Sequence, residues 1–181
     1  MPANDYVDCG AGSNLAISGS ITTSAWIKTT ISSGTYIILE KSPSGSTGYN
    51  MLVSSGKLEG RIYSSVSSIV STAIVSDGRW HNVVMSNENI INGWSLYVDG
   101  VSVKSQNGTS AIANSNILYI GARSTTLNFN GHIDEVRIYN TAISTSQIKE
   151  QYYVGLNNML NNGSIDKEEY QKRIYSFAIN Y

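Results

Sequence analysis

Apolar and polar residues alternate with a period of two from Tyr6 to Tyr139, and turn signals interrupt the alternation about every 8–12 residues. The clearest hairpin runs from Trp94 to Lys104, where Asp99 and Gly100 form a two-residue loop between alternating runs. Glycine after aspartate supplies the positive φ that such a turn requires. The pattern predicts an all-β protein with strands near 4–9, 20–29, 35–41, 48–54, 57–64, 68–75, 80–86, 94–99, 101–106, 116–122 and 130–140.

The pattern changes after Asn140, where two helix starts follow one another. Ser144 is placed to cap the first helix, with Gln147 completing a capping box. Asp166 and Glu169 repeat this arrangement for a second helix, after a break at 161–163. We therefore expect helix in about one sixth of the chain, all of it after residue 140.

Composition excludes several classes of protein. Lys and Arg total 12 against 13 Asp and Glu, so no basic excess exists to hold phosphates, and nucleic acid is not an expected partner. The apolar runs are far shorter than the roughly 20 residues of a membrane span, so we expect no membrane insertion. The single cysteine can form neither an internal disulfide nor a cysteine zinc site.

The sequence gives only indirect evidence on whether the protein lies inside or outside the cell. The first residues lack the basic and apolar segments of a signal peptide. A surface rich in Ser, Thr and Asn and poor in Lys nevertheless favours an extracellular, cell-surface or virion location.

Six motifs occur in a register that resembles the laminin-G-like branch of the concanavalin A-like lectin/glucanase superfamily. They are Tyr6–Gly10, Ser24–Lys28, Asp77–Val84, Leu96–Val101, Leu118–Gly121 and Gly131–Asn140. The resemblance covers roughly residues 4–152 and implies an antiparallel two-sheet β-sandwich, a jelly roll of about 12 to 14 strands. We therefore assign residues 1–152 to the sandwich. Residues 153–181 fall outside the resemblance, and the capping pattern alone predicts that they form a short helical C-terminal extension. It does not choose a function, since such folds support carbohydrate binding, adhesion, calcium-dependent recognition, hydrolysis and structural roles.

Candidate catalytic groups are sparse. Glycoside hydrolysis needs two carboxylates that face each other across the scissile bond, and the hydrolytic members of the superfamily carry Glu-x-Asp-x-(x)-Glu on one strand. The chain has no such run: Glu40, Glu59 and Glu88 are isolated, while Asp134 and Glu135 should point to opposite faces. We expect that the protein is not an enzyme.

The aromatic residues are mostly of the type that stacks on sugars or fills adhesive interfaces, with twelve Tyr and three Trp against two Phe. Trp26 falls on the face opposite Ala25 and Ile27, so it is either a sugar platform or an aromatic covered by a loop or by the C-terminal helix. The covered aromatic is favoured. For His81, an ordinary half-exposed strand residue is favoured over a contact on a binding face, and Cys9 is expected to fill an apolar slot.

Asp134 is a charged residue at a position where the strand pattern predicts an apolar one. Alternation places it on the same face as Val136 and Ile138, where an unpaired carboxylate would be unfavourable. Backbone amides or Arg137 could satisfy it. The other candidate is a calcium ion shared with Asp8, because the first and last strands of jelly rolls are often neighbours.

These observations favour a non-catalytic extracellular recognition module that binds a glycan or a cell-surface glycoprotein in adhesion. The competing interpretation is a structural or decoration subunit of a larger extracellular or virion assembly, such as a phage head or tail fibre. The second helix is too short to be stable alone. It must therefore dock onto the sandwich or onto neighbouring subunits.

Overall fold

The computed structural model describes residues 5–42, 47–63, 67–111 and 113–179. The strands are β1 Val7–Asp8, β2 Ile21–Lys28, β3 Thr35–Glu40, β4 Gly48–Ser54, β5 Lys57–Tyr63, β6 Ser67–Ile74, β7 Trp80–Asn87, β8 Trp94–Val98, β9 Val101–Gln106, β10 Tyr119–Ile120 and β11 His132–Tyr139. They form two antiparallel sheets, with strand orders β1-β10-β3-β4-β5-β6 and β11-β2-β7-β8-β9. Two helices follow, α1 Thr145–Asn161 and α2 Lys167–Ile179.

The all-β, two-sheet prediction is confirmed, and most strand limits fall within two residues of those expected from alternation. The β8–β9 turn has the expected form, since Asp99 and Gly100 both adopt positive φ, at 52° and 76°. β1 and β10 are shorter than predicted, with two residues each. Residue 4, where the first strand was expected to begin, lies outside the described residues.

The main core lies between the sheets and is built from one face of each strand. In the six-stranded sheet, a row of directly opposed residues faces inward: Ile120, Leu39, Met51, Gly60 and Ile69. Gly60 leaves room in this row for Met85 of the opposite sheet, since a Cβ there would lie 2.5 Å from the Met85 Sδ. The residues one position along each strand therefore point away from the core.

Helix α1 covers the outer face of the five-stranded sheet. The indole of Trp26 is 1% exposed and stacks on Tyr152, with ring centroids 5.7 Å apart and planes 20° apart. A Cβ at Gly155 would lie 2.8 Å from Cε2 of Trp26, so only glycine allows the helix to approach this closely. The interpretation of Trp26 as a covered structural aromatic is confirmed.

Both helices begin where the capping pattern predicts. Ser144 and Gln147 form a reciprocal capping box at α1, and the carboxylate of Asp166 accepts a hydrogen bond from the Glu169 amide at α2. The helices contain 17 and 13 residues, close to one sixth of the chain, and neither is long and apolar enough among the described residues to cross a membrane. The expected limit at residue 152 falls inside α1, and the division into two domains stays a prediction.

Candidate functional site

The outer face of the six-stranded sheet carries a continuous row of polar side chains. Residues directly opposite one another across the strands run Asp8, Tyr119, Glu40, Asn50, Arg61 and Ser68, and we call these six residues the outer row. Neighbouring strands lie about 4.8 Å apart, so the row extends over more than 20 Å, by a rough estimate, on the side away from the core. Three charged or amide groups on successive central strands are the feature that distinguishes this face.

Glu40 is at the centre of the outer row and is fully buried, at 0% exposure. Nε of Arg123, in the loop after β10, donates to both carboxylate oxygens of Glu40 at 3.0 and 2.9 Å. Burial raises the pKa of the Glu40 carboxyl above its usual value, and the guanidinium beside it offsets that rise. The Arg123 side chain remains 29% exposed, so it both shields Glu40 and presents donors to solvent.

A second ion pair lies two strands further along, on β5. Nε of Arg61 donates to Glu59 at 2.6 Å, and the Arg61 side chain is 28% exposed. Nδ2 of Asn50 lies between the two pairs, 3.4 Å from Glu40 and 3.3 Å from the Tyr63 hydroxyl. Its Oδ1 is buried without a hydrogen-bond partner among the described residues. The face therefore combines satisfied charges with an amide oxygen that still lacks a donor.

An aromatic pair closes one end of the outer row. The rings of Tyr6 and Tyr119 meet edge to face, with centroids 5.8 Å apart and planes 72° apart. Tyr6 is 41% exposed, and Tyr119 is directly opposite Glu40. A stacking surface thus adjoins the hydrogen-bonding groups, a combination suited to a ligand with an apolar face and many hydroxyls.

The two predicted metal ligands lie on different sheets. Asp8 belongs to the outer row, is exposed and accepts a hydrogen bond from the Gly10 amide at 2.8 Å. Asp134 belongs to β11 in the five-stranded sheet. Within the described ranges, no group of three or more His, Cys, Asp or Glu side chains could hold a metal ion. The calcium site stays a prediction.

The burial predicted for Asp134 is wrong. A β-bulge shifts the register between Asp134 and Arg137, and Glu135 within it adopts φ 52°. The extra residue lets Ile133 and Val136 both pack on the core, which leaves Asp134 exposed. Its carboxylate accepts a hydrogen bond from the Glu135 amide at 2.7 Å, so the surroundings do not require a cation.

His81 is also placed differently from the prediction, since it is buried at 7% exposure. Nδ1 lies 2.8 Å from Asp99 and Nε2 lies 3.0 Å from Asp77. Both nitrogens must donate to satisfy two carboxylates, which requires the imidazolium form. Burial alone would lower the pKa of His81, but the two carboxylates outweigh burial and raise it above 6.5.

This imidazolium belongs to a network that holds α2 against the sandwich. Arg173 of α2 is 8% exposed and donates to the Trp80 carbonyl at 2.6 Å and to Glu169 at 2.9 Å. Together with neighbouring groups it lines a half-open cavity of about 190 Å³ between α2 and the β8–β9 turn, whose charged members are Arg79, His81, Asp99, Glu169, Lys172 and Arg173. The arrangement is a network of paired charges that attaches a helix.

Two further expectations about single side chains are corrected. The tyrosines, whose number suggested rings that stack on sugars or fill adhesive interfaces, are mostly buried or half-buried, and among the described residues only Tyr6 and Tyr175 are exposed. Cys9 is exposed, like Val7 and Asp8 before it, because this segment lies at the edge of the six-stranded sheet.

Sequence reasoning missed most of the outer row. Glu40 and Glu59 are isolated carboxylates in the sequence, and the apolar run Tyr36–Leu39, together with a register shift in β3, hides the alternation that would place Glu40 on the same face as Asn50 and Arg61. No local signal indicates Arg123, which lies 83 residues from its partner Glu40.

Comparisons with known proteins agree with the fold. The family model described as the concanavalin A-like lectin/glucanases superfamily matches residues 2–149. Among curated proteins, no sequence matches the chain.

Three solved structures illustrate the structural likeness. The CBM40 domain of the Ruminococcus gnavus IT-sialidase, bound to α2,3-sialyllactose, has a TM-score of 0.69 at 10% identity, over 84% of this chain and 94% of that one. The binding domain of Paraclostridial Mosquitocidal Protein 1 has a TM-score of 0.64 at 15% identity, and the match covers 84% of this chain but only 41% of that chain. The SAP-like pentraxin of Limulus polyphemus has a TM-score of 0.62 at 15% identity, over 82% and 75% of the two chains. At these identities the likeness concerns the fold alone.

Proposed function

Because the chain belongs to the concanavalin A-like lectin/glucanases superfamily, we propose that it is a non-catalytic recognition module that binds glycans outside the cell through the outer row. The observation that carries this proposal is the Glu40–Arg123 pair, a fully buried carboxylate under a partly exposed guanidinium on the face that points away from the core. A buried ion pair is weak support for stability, because desolvation offsets the attraction of the charges. Its presence on an outer face is better explained by ligand recognition.

The chemistry of the face suits sugar hydroxyls. A hydroxyl donates one hydrogen bond and accepts two, so it can bridge a guanidinium N–H and a carboxylate or amide oxygen. Arg123 and Arg61 supply guanidinium N–H groups to this face, and their side chains are 29% and 28% exposed. Planar side chains fixed by one another are already ordered, which lowers the entropic penalty of binding.

The same pairing argues against catalysis at this face. A glycosidase needs one carboxyl group able to deliver a proton and another free to attack or to activate water. Glu40 and Glu59 are each bound to a guanidinium in the ground state, at 2.9 and 2.6 Å. We therefore propose binding without hydrolysis, to be checked by incubation with the bound glycan and chromatography of the products.

Two proteins of similar fold are described as binding carbohydrate, which supports glycan binding in general but no particular sugar. The CBM40 domain is a carbohydrate-binding module, and another neighbour is described as a putative carbohydrate binding protein from Bacteroides ovatus. Adhesion to a cell-surface glycoprotein is a specific form of this proposal.

A glycan array tests the proposal with a matched pair of variants. Arg123→Gln removes the charge above Glu40, whereas Arg137→Gln removes a partly exposed arginine of β11 in the other sheet. We expect wild type and Arg137→Gln to bind the same glycans, and Arg123→Gln to lose about tenfold or more in affinity. Thermal melts confirm that each variant is folded, and Arg61→Gln replaces Arg123→Gln if the latter unfolds. Absence of any glycan signal, or equal binding by all variants, contradicts the proposal.

A structural role in a larger extracellular or virion assembly remains the second hypothesis. This hypothesis requires a surface that contacts neighbouring subunits, for which the C-terminal helix is the candidate. In the structure α1 and α2 pack onto their own sandwich through Trp26 and Tyr152. Light scattering on the full chain measures the oligomeric state directly.

A further inference from the structure

We infer that the ligand of the outer row is an uncharged hexose-containing glycan, held with an apolar ring face against the Tyr6–Tyr119 pair and its hydroxyls over the Glu40–Arg123 pair. This inference rests on the proposed function and specifies the class of sugar. It concerns the same face and needs no further binding site.

The charged side chains on the face of the outer row balance one another. The strand register and the Arg123 ion pair place three acidic and three basic side chains on this face of the described sheet, so their formal charges cancel: Asp8, Glu40, Glu59, Lys57, Arg61 and Arg123. Neither guanidinium is an unpaired cation waiting for an acidic ligand, since each donates through Nε to a carboxylate.

An acidic sugar would therefore add an uncompensated negative charge beside a fully buried carboxylate. Glu40 is 0% exposed, and charges in such surroundings are screened less than at an open surface. A neutral hydroxyl group avoids this repulsion and still uses the remaining guanidinium N–H groups as donors. The electrostatics of the outer row select against carboxylated sugars.

The spacing of the strands also matches the size of a sugar ring. Tyr119 is directly opposite Glu40, and Glu40 is directly opposite Asn50, with about 4.8 Å between neighbouring strands. A pyranose ring is about as wide as one strand spacing. When one face of the ring rests against the tyrosines, its hydroxyls lie over the Glu40–Arg123 pair, where the Arg123 guanidinium is 29% exposed. The partly exposed Tyr6 ring supplies the outer part of this stacking surface.

The inference separates this chain from a protein of similar fold. The CBM40 structure contains sialyllactose, which carries a carboxylate. Fold likeness alone would suggest an acidic ligand, whereas the side chains of the outer row indicate a neutral one.

The test uses an array that holds neutral hexose oligosaccharides beside their sialylated forms, read at about 50 mM and about 500 mM NaCl. We expect the neutral members to bind, their sialylated forms to bind about tenfold less tightly, and affinity to change less than about twofold with salt. Binding confined to acidic glycans, or a steep loss with salt, overturns the inference and leaves the proposed function intact. Absence of binding to every glycan refutes the proposed function itself.

Stacking is tested by a matched pair of tyrosine variants. Tyr6→Ala removes a ring that is 41% exposed next to the outer row, and Tyr175→Ala removes one that is 69% exposed on α2. We expect Tyr6→Ala to lose about tenfold in affinity for the neutral glycan and Tyr175→Ala to lose none. Equal affinity of the two variants overturns the stacking arrangement. Melting temperatures verify that both remain folded.

Discussion

Stability should fall as pH rises through the titration of His81. The imidazolium donates to Asp99 and Asp77 at 2.8 and 3.0 Å and is almost fully buried. Its pKa is raised above 6.5 in the folded protein, so the stabilisation is fully present below about 6.5. It is lost as pH increases through the folded-state pKa, because one nitrogen then has no proton to donate.

The size of the effect follows from the bonds involved. Hydrogen bonds to charged groups contribute about 1.5–3 kcal/mol each, and loss of the imidazolium proton removes one of them. For a chain of this length, about 2 kcal/mol corresponds to roughly 4–8 °C in melting temperature. Other charged groups close to His81 reduce the size of this effect on stability. They are Arg79, Arg173, Glu169 and Lys172.

The assay compares melting temperatures by circular dichroism between pH 5.5 and 9 for wild type, His81→Gln and His132→Gln. Glutamine does not titrate, so the difference between wild type and His81→Gln isolates the imidazolium. The other histidine is exposed and serves as the control. We expect this difference to shrink as pH rises, with His132→Gln following wild type. A difference that stays constant or grows with pH would show that His81 is not charged in the folded state.

Four other changes have defined outcomes. Gly155→Ala should lower the free energy of unfolding by about 1–3 kcal/mol, because the alanine Cβ would overlap the Trp26 indole. This loss exceeds the gain from the better helix propensity of alanine, and a urea titration measures it. Lys41 is buried at 1% exposure, burial lowers its pKa, and its ammonium donates a hydrogen bond to the Asn116 carbonyl. Lys41→Met should raise the melting temperature, because removal of a buried charge outweighs loss of that one hydrogen bond; an unchanged or lower value contradicts this. The calcium hypothesis predicts that EDTA lowers the melting temperature of wild type and leaves that of Asp8→Asn unaffected. Truncation after Tyr152 should lower the melting temperature without changing the oligomeric state, because it removes Leu156 and Met159 from the cluster around Trp26. Light scattering measures the oligomeric state, and a loss of oligomers on truncation would contradict this prediction.

The parts of the fold that local chemistry determines were predictable from the sequence. Alternation located the strands, and the capping residues Ser144 and Asp166 located the helix starts, because both signals lie within a few residues of the structure they specify. The cover over Trp26 was expected as well, since its face was known to oppose the core face of β2.

Features that depend on distant residues were not predictable in the same way. Alternation assumes an unbroken period of two, so the bulge at Glu135 reversed the predicted side of Asp134. His81 acquires its charge from Asp99, which is 18 residues away in sequence and is placed beside it by strand pairing. The same reasoning applies to Glu40 and Arg123, whose contact exists only once β10 has paired with β3.

The stacking of Trp26 on Tyr152 also has a consequence for the order of events during translation. Tyr152 is 126 residues later in the chain, so a ribosome that adds about 5–20 residues per second completes the cover roughly 6–25 s after the indole is made. Throughout that interval the outer face of β2 has no helix to pack against. The nascent sandwich is therefore most vulnerable to aggregation during this interval, which ends when α1 packs over the indole.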